Sequence, residues 1–244
     1  MDHPMIPLTS AQIDDLRQFT TPTIANALEL VSSWDRISGI MAPRIKALFP
    51  EMKTLVGYAC TSVLATRQPA QGKFYADWQD YWRYVLTVPG PRVSVGQDID
   101  PAPSVGSIWG EVQANIHLAL GCVGAIVEGA MRDLDEMQAL NFPCFSREVV
   151  VSHSHAHFID FGCPVQVGGV IVHSGDLVHA DRHGVMIIPQ TVAPLLAEAC
   201  RQIIKAESRL IATCQDRENF SLNRLVEAFS QFMKDYPVEK SPTV

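Results

Sequence analysis

Arg132 and Asp133 stand side by side where an apolar run, ending Glu128-Gly129-Ala130-Met131, gives way to Leu134-Asp135-Glu136. An arginine offers a planar fork of donors for a carboxylate or an enolate oxygen. A neighbouring aspartate is a hard oxygen ligand suited to Mg²⁺ or Mn²⁺. Arg-Asp after a strand is also compatible with a helix-terminal charge or a surface ion pair, so the pair alone does not decide its use. Glu111 adds a second carboxylate, separated from Arg132 by twenty intervening residues and directly after Trp109-Gly110. A helix and a strand fit into that interval and return both carboxylates to one edge of a sheet.

The elements that would do so are legible from hydrophobic spacing. Val112 to Leu120 reads as a helix stopped by Gly121, Cys122 to Glu128 as a buried strand, Asp133 to Leu140 as a helix, and Pro143-Cys144-Phe145 as the start of another strand. Upstream, Thr54 to Ala65 suits a strand buried on both faces, and Arg92-Val93-Ser94-Val95 alternates as a strand does. This order is that of a parallel α/β sheet with right-handed crossovers, whose carboxyl edge is where ligands bind. Residues 9–31 predict two short helices broken at Thr21-Pro22. Phe74, Trp78, Tyr81, Trp82 and Val85 form an aromatic stripe on a predicted helix over 72–87, expected to serve as core or as a subunit interface.

Downstream, Val165-Gln166-Val167, Val170-Ile171-Val172, Asp176-Leu177-Val178 and Val185-Met186-Ile187-Ile188 are short strands parted by glycine turns, which predicts a second, antiparallel or mixed sheet. Helical spacing returns from Thr191 to about Met233, and residues 236–244 read as a frayed tail. The expected organisation is a single domain over 1–244, with a core of about 20–190 and C-terminal helices over about 191–233.

Composition bounds the function. With 244 residues, 47% hydrophobic, the chain can bury a substantial core. A formal net charge of −7 without a basic stripe argues against nucleic acid as a partner. The cysteines at 60, 122, 144, 163, 200 and 214 form no CxxC pair and fit reduced thiols. The opening Met1-Asp2-His3-Pro4 lacks a basic and apolar leader, and no run approaches the roughly twenty apolar residues of a membrane span, so a cytoplasmic protein that does not associate with membranes is expected.

Glu111, twenty residues, Arg132-Asp133, two residues and Glu136 resemble the acidic-X20-Arg-Asp-X2-acidic signature of class II 4-hydroxy-4-methyl-2-oxoglutarate and 4-carboxy-4-hydroxy-2-oxoadipate aldolases, of the RraA-like family. Phe142 to Phe145, Pro164 to Val170, Ser174 to Val178 and Asp181 to Val185 are similar to later segments of the same family, so the likeness covers about 20–210. The resemblance implies a three-layer β/β/α swivelling fold and a homotrimer or hexamer. It implies a lyase that cleaves a 4-hydroxy-2-oxo acid to pyruvate with Mg²⁺ or Mn²⁺ as cofactor, with oxaloacetate decarboxylation as a related activity. Carried over by position, Asp133 would bind the cation and Glu111 would hold it through water. Arg132 would grip the pyruvate half. Val105, Gly106, Ser107 and Ile108 would offer backbone N–H groups to the substrate carboxylate. Glu207 would reach the metal of a neighbouring subunit.

The sequence departs from the family pattern at Gln97-Asp98-Ile99-Asp100-Pro101-Ala102-Pro103, an acidic and stiff stretch where a glycine-rich turn is expected. His153, His155 and His157 alternate, which on a strand would put three imidazoles on one face; a zinc or nickel site, a polar sheet face and a loop all fit that spacing. His173, His179 and His183 read as exposed residues near turns, and Asp181 as a turn residue. Some relatives with this fold are protein-binding regulators of ribonuclease activity that keep the arginine but lack the aspartate, and Asp133 together with Glu111 favours the enzyme over that alternative. A methyltransferase is disfavoured because no glycine-rich strand-to-helix loop with a following acid is visible.

Overall fold

The computed structural model describes residues 7–71 and 75–236. In chain order, helices α1 (Ser10–Leu16) and α2 (Thr21–Val31) lead into strands β1 (Lys46–Ala47) and β2 (Leu55–Ala65), helix α3 (Trp78–Thr87) and strand β3 (Arg92–Asp98). Helix α4 (Glu111–Ala119), strand β4 (Cys122–Met131), helix α5 (Leu134–Ala139) and strand β5 (Cys144–Val149) follow. Strands β6 (His157–Phe161), β7 (Val165–Val167), β8 (Val170–Val172), β9 (Leu177–Asp181) and β10 (Gly184–Ile188) precede helices α6 (Ala193–Gln215) and α7 (Leu222–Asp235).

Strands β2, β3, β4 and β5 lie parallel in one sheet, as the crossover order requires. Alternate residues of these strands feed two cores. Val56, Tyr58 and Cys60 of β2, with Ala125 and Val127 of β4, pack under the helices. Leu55 and Ala59 of β2, with Ile126 of β4, face the opposite way onto Val165, Val167 and Val172 of the β7–β8 hairpin. Helices, main sheet and hairpin make the three layers of the expected β/β/α fold.

The separate second sheet is smaller than the turn signals predicted. Among the described residues only β7 and β8 stand apart, whereas β9 and β10 join the main sheet. The physical reason is the length of β2. Its eleven residues exceed what one antiparallel partner covers. Residues Leu55 to Tyr58 pair with β9 and residues Ser62 to Ala65 with β6.

Two polar expectations also change. His179 is completely buried, not exposed. Its Nδ1 lies 3.0 Å from Thr21 Oγ1 and its Nε2 3.2 Å from the Leu16 carbonyl, so the neutral ring donates from Nε2 and accepts at Nδ1. Asp181 ends β9 and accepts the Thr21 N–H at 2.8 Å, capping α2, while its other oxygen accepts the His183 N–H at 2.8 Å.

The aromatic stripe on α3 serves mainly the chain's own core. Tyr81 and Val85 are buried, and Trp78 packs edge-on against Phe158 at 4.8 Å; Phe74 lies outside the described residues. The apolar stripe left in water is on α7, where Leu222, Val226, Phe229 and Met233 are exposed. Tyr236, read as part of a frayed tail, is buried, and its hydroxyl donates to the Asn26 carbonyl at 3.2 Å. Among the described residues no helix is long and apolar enough to cross a membrane.

Candidate active site

Strand β4 delivers Arg132 and Asp133 at its carboxyl end, and the backbone turns sharply there because Asp133 adopts a left-handed conformation with φ 55° and ψ 49°. Aspartate tolerates that region better than most residues. The turn aims its carboxylate across at α4. Oδ2 accepts the Glu111 N–H at 3.1 Å, and Oδ1 accepts from an Arg132 guanidinium nitrogen at 3.1 Å. Asp133 therefore lies against the positive end of α4, where an anion is favoured.

Gly110 makes this approach possible. A Cβ built there would collide with Asp133 Oδ2 and sit 3.3 Å from Arg132 Cγ. Gly110→Ala is expected to leave the fold intact while turning the carboxylate away from α4. A misplacement on the order of 1 Å at a reacting centre costs about a hundredfold in turnover. The check is kcat beside the thermal midpoint: an unchanged kcat in a folded variant would show that the carboxylate's exact place is unimportant.

Residues 105–110 are stitched to the same strand end. The Ser107 hydroxyl donates to the Ala130 carbonyl at 2.6 Å and accepts the Trp109 N–H at 2.9 Å, while the Arg132 N–H donates to the Trp109 carbonyl at 3.1 Å. Beside this junction opens a cavity of about 320 Å³. Arg132, Gly110 and Ser107 line one part of it, and Trp78, Ile108 and Val112 give it an apolar wall. Gln113 also lines it, and its buried Oε1 has no hydrogen-bond partner, an acceptor that a ligand donor would satisfy.

Several predicted residues come together here and others do not. Glu111, Arg132 and Asp133 share one corner; Ser107 and Ile108 line the cavity. Not every backbone donor in 105–108 is free for a ligand, because the Ser107 N–H donates to the Ser152 carbonyl at 3.1 Å. Glu207 lies on α6 near Tyr236, and among the described residues no three His, Cys, Asp or Glu side chains gather as a metal-binding group. His153, His155 and His157 likewise form no such group among the described residues. Ser152 to Ala156 form a turn and β6 begins only at His157, so the three rings do not share a strand face.

The acidic loop after β3 is spent on bracing. Asp98 Oδ1 accepts the Asp100 N–H at 3.0 Å, and Asp100 Oδ2 accepts the backbone N–H groups of Thr66 and Arg67 at 2.6 and 2.7 Å. Burial pushes the Asp98 carboxyl up from its ordinary range. Sequence reasoning missed Gly110, Trp78, Gln113 and His153 as parts of the site. For Gly110 a signal is present, a glycine directly before the acidic Glu111 at the start of a predicted helix.

The donor set at Asp133 consists of hard oxygens. Each carboxylate oxygen makes one hydrogen bond and keeps a second lone pair, and the Glu111 side chain beside it is exposed. Mg²⁺ is commonly held by one or two carboxylates with water and substrate completing its shell, so these residues fit such an ion.

A family model described as RraA-like, aldolase/RraA, matches residues 21–187. The chain belongs to the RraA-like family. That family includes both aldolases and ribonuclease inhibitors. Over 85 residues the chain is 36% identical to a Halalkalibacterium halodurans protein that bears the provisional name of a 4-hydroxy-4-methyl-2-oxoglutarate aldolase. It is 28% identical, over a stretch of the same length, to protein DlpA of Legionella pneumophila. These matches cover 34% of this chain, and the chain spans 40% of the first relative's length and 14% of the second's. Among solved structures, an uncharacterized protein from Pseudomonas syringae superposes with a TM-score of 0.71 at 22% identity, covering 94% of this chain and 98% of that one. Streptomyces coelicolor RraAS2, described as an unusual member of the RNase ES inhibitor RraA family, superposes at 0.63 with 22% identity, over 83% of this chain and 97% of its own. These two likenesses describe the fold.

Proposed function

We propose that this RraA-like chain is a divalent-metal-dependent class II lyase that cleaves a 4-hydroxy-2-oxo acid to pyruvate and also decarboxylates oxaloacetate. The observation that carries the reading is the Asp133 carboxylate, fixed between the first N–H of α4 and the guanidinium of Arg132, the residue that lines a cavity sized for a small acid. Asp133 directly, and Glu111 through water, would hold Mg²⁺ or Mn²⁺; the cation would supply Lewis-acid polarisation of the 2-oxo group. The Arg132 fork supports the developing enolate and orients the substrate carboxylate. The free N–H groups of the first turn of α4 add a second anion grip. The chemistry needs no Schiff-base lysine.

In the proposed homotrimer or hexamer Glu207 acts across a subunit boundary, which suits its position on α6 away from Asp133. The whole reaction is proposed to reside in a single domain in the cytoplasm.

The test is pyruvate release from a panel of 4-hydroxy-2-oxo acids and oxaloacetate. Chelation with EDTA is expected to abolish release, and Mg²⁺ or Mn²⁺ to restore it. Full turnover after exhaustive chelation would sink the metal-dependent reading. No release from any substrate with metal bound would favour the protein-binding alternative.

A further inference from the structure

Cleavage of a 4-hydroxy-2-oxo acid needs a base for the 4-hydroxyl proton, and a histidine, His153, lines the same cavity as Arg132. Its Nδ1 is 2.7 Å from the Ser154 carbonyl, which can only accept, so in the neutral ring Nδ1 carries the proton and Nε2 keeps its lone pair. His155 and His157, which alternate with it in sequence, are not among the residues lining this cavity.

The turn that carries His153 is held in place. Ser154 takes a left-handed φ of 48°, and its N–H donates to the Ser152 hydroxyl at 2.9 Å. Gly106 packs so tightly against the turn that a Cβ there would meet Ser154 Cβ at 2.5 Å and the His153 carbonyl at 2.7 Å. The Ser107 N–H donates to the Ser152 carbonyl at 3.1 Å, and the Ser107 hydroxyl to the Ala130 carbonyl at 2.6 Å. A continuous set of contacts thus joins the histidine turn to the strand end that bears Arg132. Two groups on different elements are held on one cavity, one cationic and one with a free nitrogen lone pair.

We propose that His153 is the general base and acid of the lyase reaction, an assignment that rests on the function proposed above. Nε2 takes the proton from the substrate's 4-hydroxyl. The C4–O bond becomes a carbonyl, the C3–C4 bond breaks, and its electron pair forms the C2–C3 double bond of pyruvate enolate with the negative charge on the C2 oxygen. The protonated ring then returns the proton to C3, giving pyruvate and regenerating neutral His153. No oxidant, reductant or further reactant is consumed.

Oxaloacetate provides the control. Its decarboxylation starts from an ionised carboxylate and releases CO₂, so no hydroxyl proton must be removed, while the same grip on the 2-oxo acid is used. In the full chain with Mg²⁺, His153→Gln is expected to lower kcat for cleavage of a 4-hydroxy-2-oxo acid by about 10²- to 10⁴-fold, the usual worth of a general base, with KM changed little. Oxaloacetate decarboxylation by the same variant, which skips the deprotonation and shares only the delivery of a proton to C3, is expected to fall by about tenfold or less, and that residual rate also reports a folded site. Equal losses on both substrates would overturn the proposal and make His153 a binding or structural residue. Unchanged rates on both would likewise overturn it. A wild-type chain that releases pyruvate from neither substrate would instead overturn the lyase reading, and the base with it. Decarboxylation without any cleavage of 4-hydroxy-2-oxo acids would remove the base while leaving the metal and Arg132 reading in place.

Discussion

Asp133→Asn is expected to reduce pyruvate release by about a thousandfold, the consequence of losing on the order of 4 kcal/mol of charge stabilisation at the reacting centre. Asparagine is the informative replacement because it separates charge from shape. It tolerates the left-handed backbone at φ 55°, and one amide oxygen can still accept the Glu111 N–H. The variant loses the anionic oxygen that faces Arg132 and any cation. The thermal midpoint is therefore expected to stay within a few degrees while metal affinity, followed by calorimetry, falls together with turnover. An Asn variant with full turnover would overturn the assignment of the cation to Asp133. Asp133→Ala would mix two effects, since alanine in the left-handed region costs about 1–2 kcal/mol by itself.

The second large effect is expected from acid. Burial pushes both His117 and His179 down to about 4, from an ordinary value of 6.5. His117 is held neutral by Nδ1 against the Gln113 carbonyl at 2.8 Å and Nε2 against the Tyr81 hydroxyl at 3.0 Å, while His179 bridges Thr21 and Leu16. The unfolded chain takes up these protons near pH 6.5 and the folded chain only near 4. Their contribution is thus fully present above 6.5 and is lost progressively as pH falls toward 4. At pH 5 the loss is about 2 kcal/mol for each ring, or about 4 in all, a large share of the 5–15 kcal/mol typical of a folded domain. Asp181, whose hydrogen bonds and His183 outweigh the upward push of burial and leave it below the ordinary carboxylate range, adds to the loss further into acid. Urea midpoints at pH 7, 6, 5 and 4.5 measure this. A flat profile across that window would mean that the rings are not held neutral.

Much of the fold was legible because the parallel strands are continuous apolar runs separated by helical spacing, a pattern written locally. What was not legible is pairing at a distance. Nothing in Leu177 to Asp181 tells that its partner is β2, over a hundred residues earlier, or that β2 divides its length between β9 and β6. His179 was misread for the same reason. The groups that satisfy it lie 158 and 163 positions away, so nothing local distinguishes it from an exposed polar residue near a turn. At the site, Glu111, Arg132 and Asp133 were visible because one helix and one strand fix their separation. His153 was visible only as a member of an alternating trio, a spacing that fits a strand face and a loop equally, and the chain makes a turn there.

The left-handed residue at the end of β4 also shapes how this position can drift. Most side chains at φ 55° carry a penalty, so the undemanding exits from aspartate are asparagine and glycine. Both discard the charge and keep the turn. A lineage that gave up the chemistry while keeping the scaffold would pass through one of them without first losing its fold. If the proposed function holds, a single side chain would divide a catalyst from a binding protein, at a position whose backbone is already provided for.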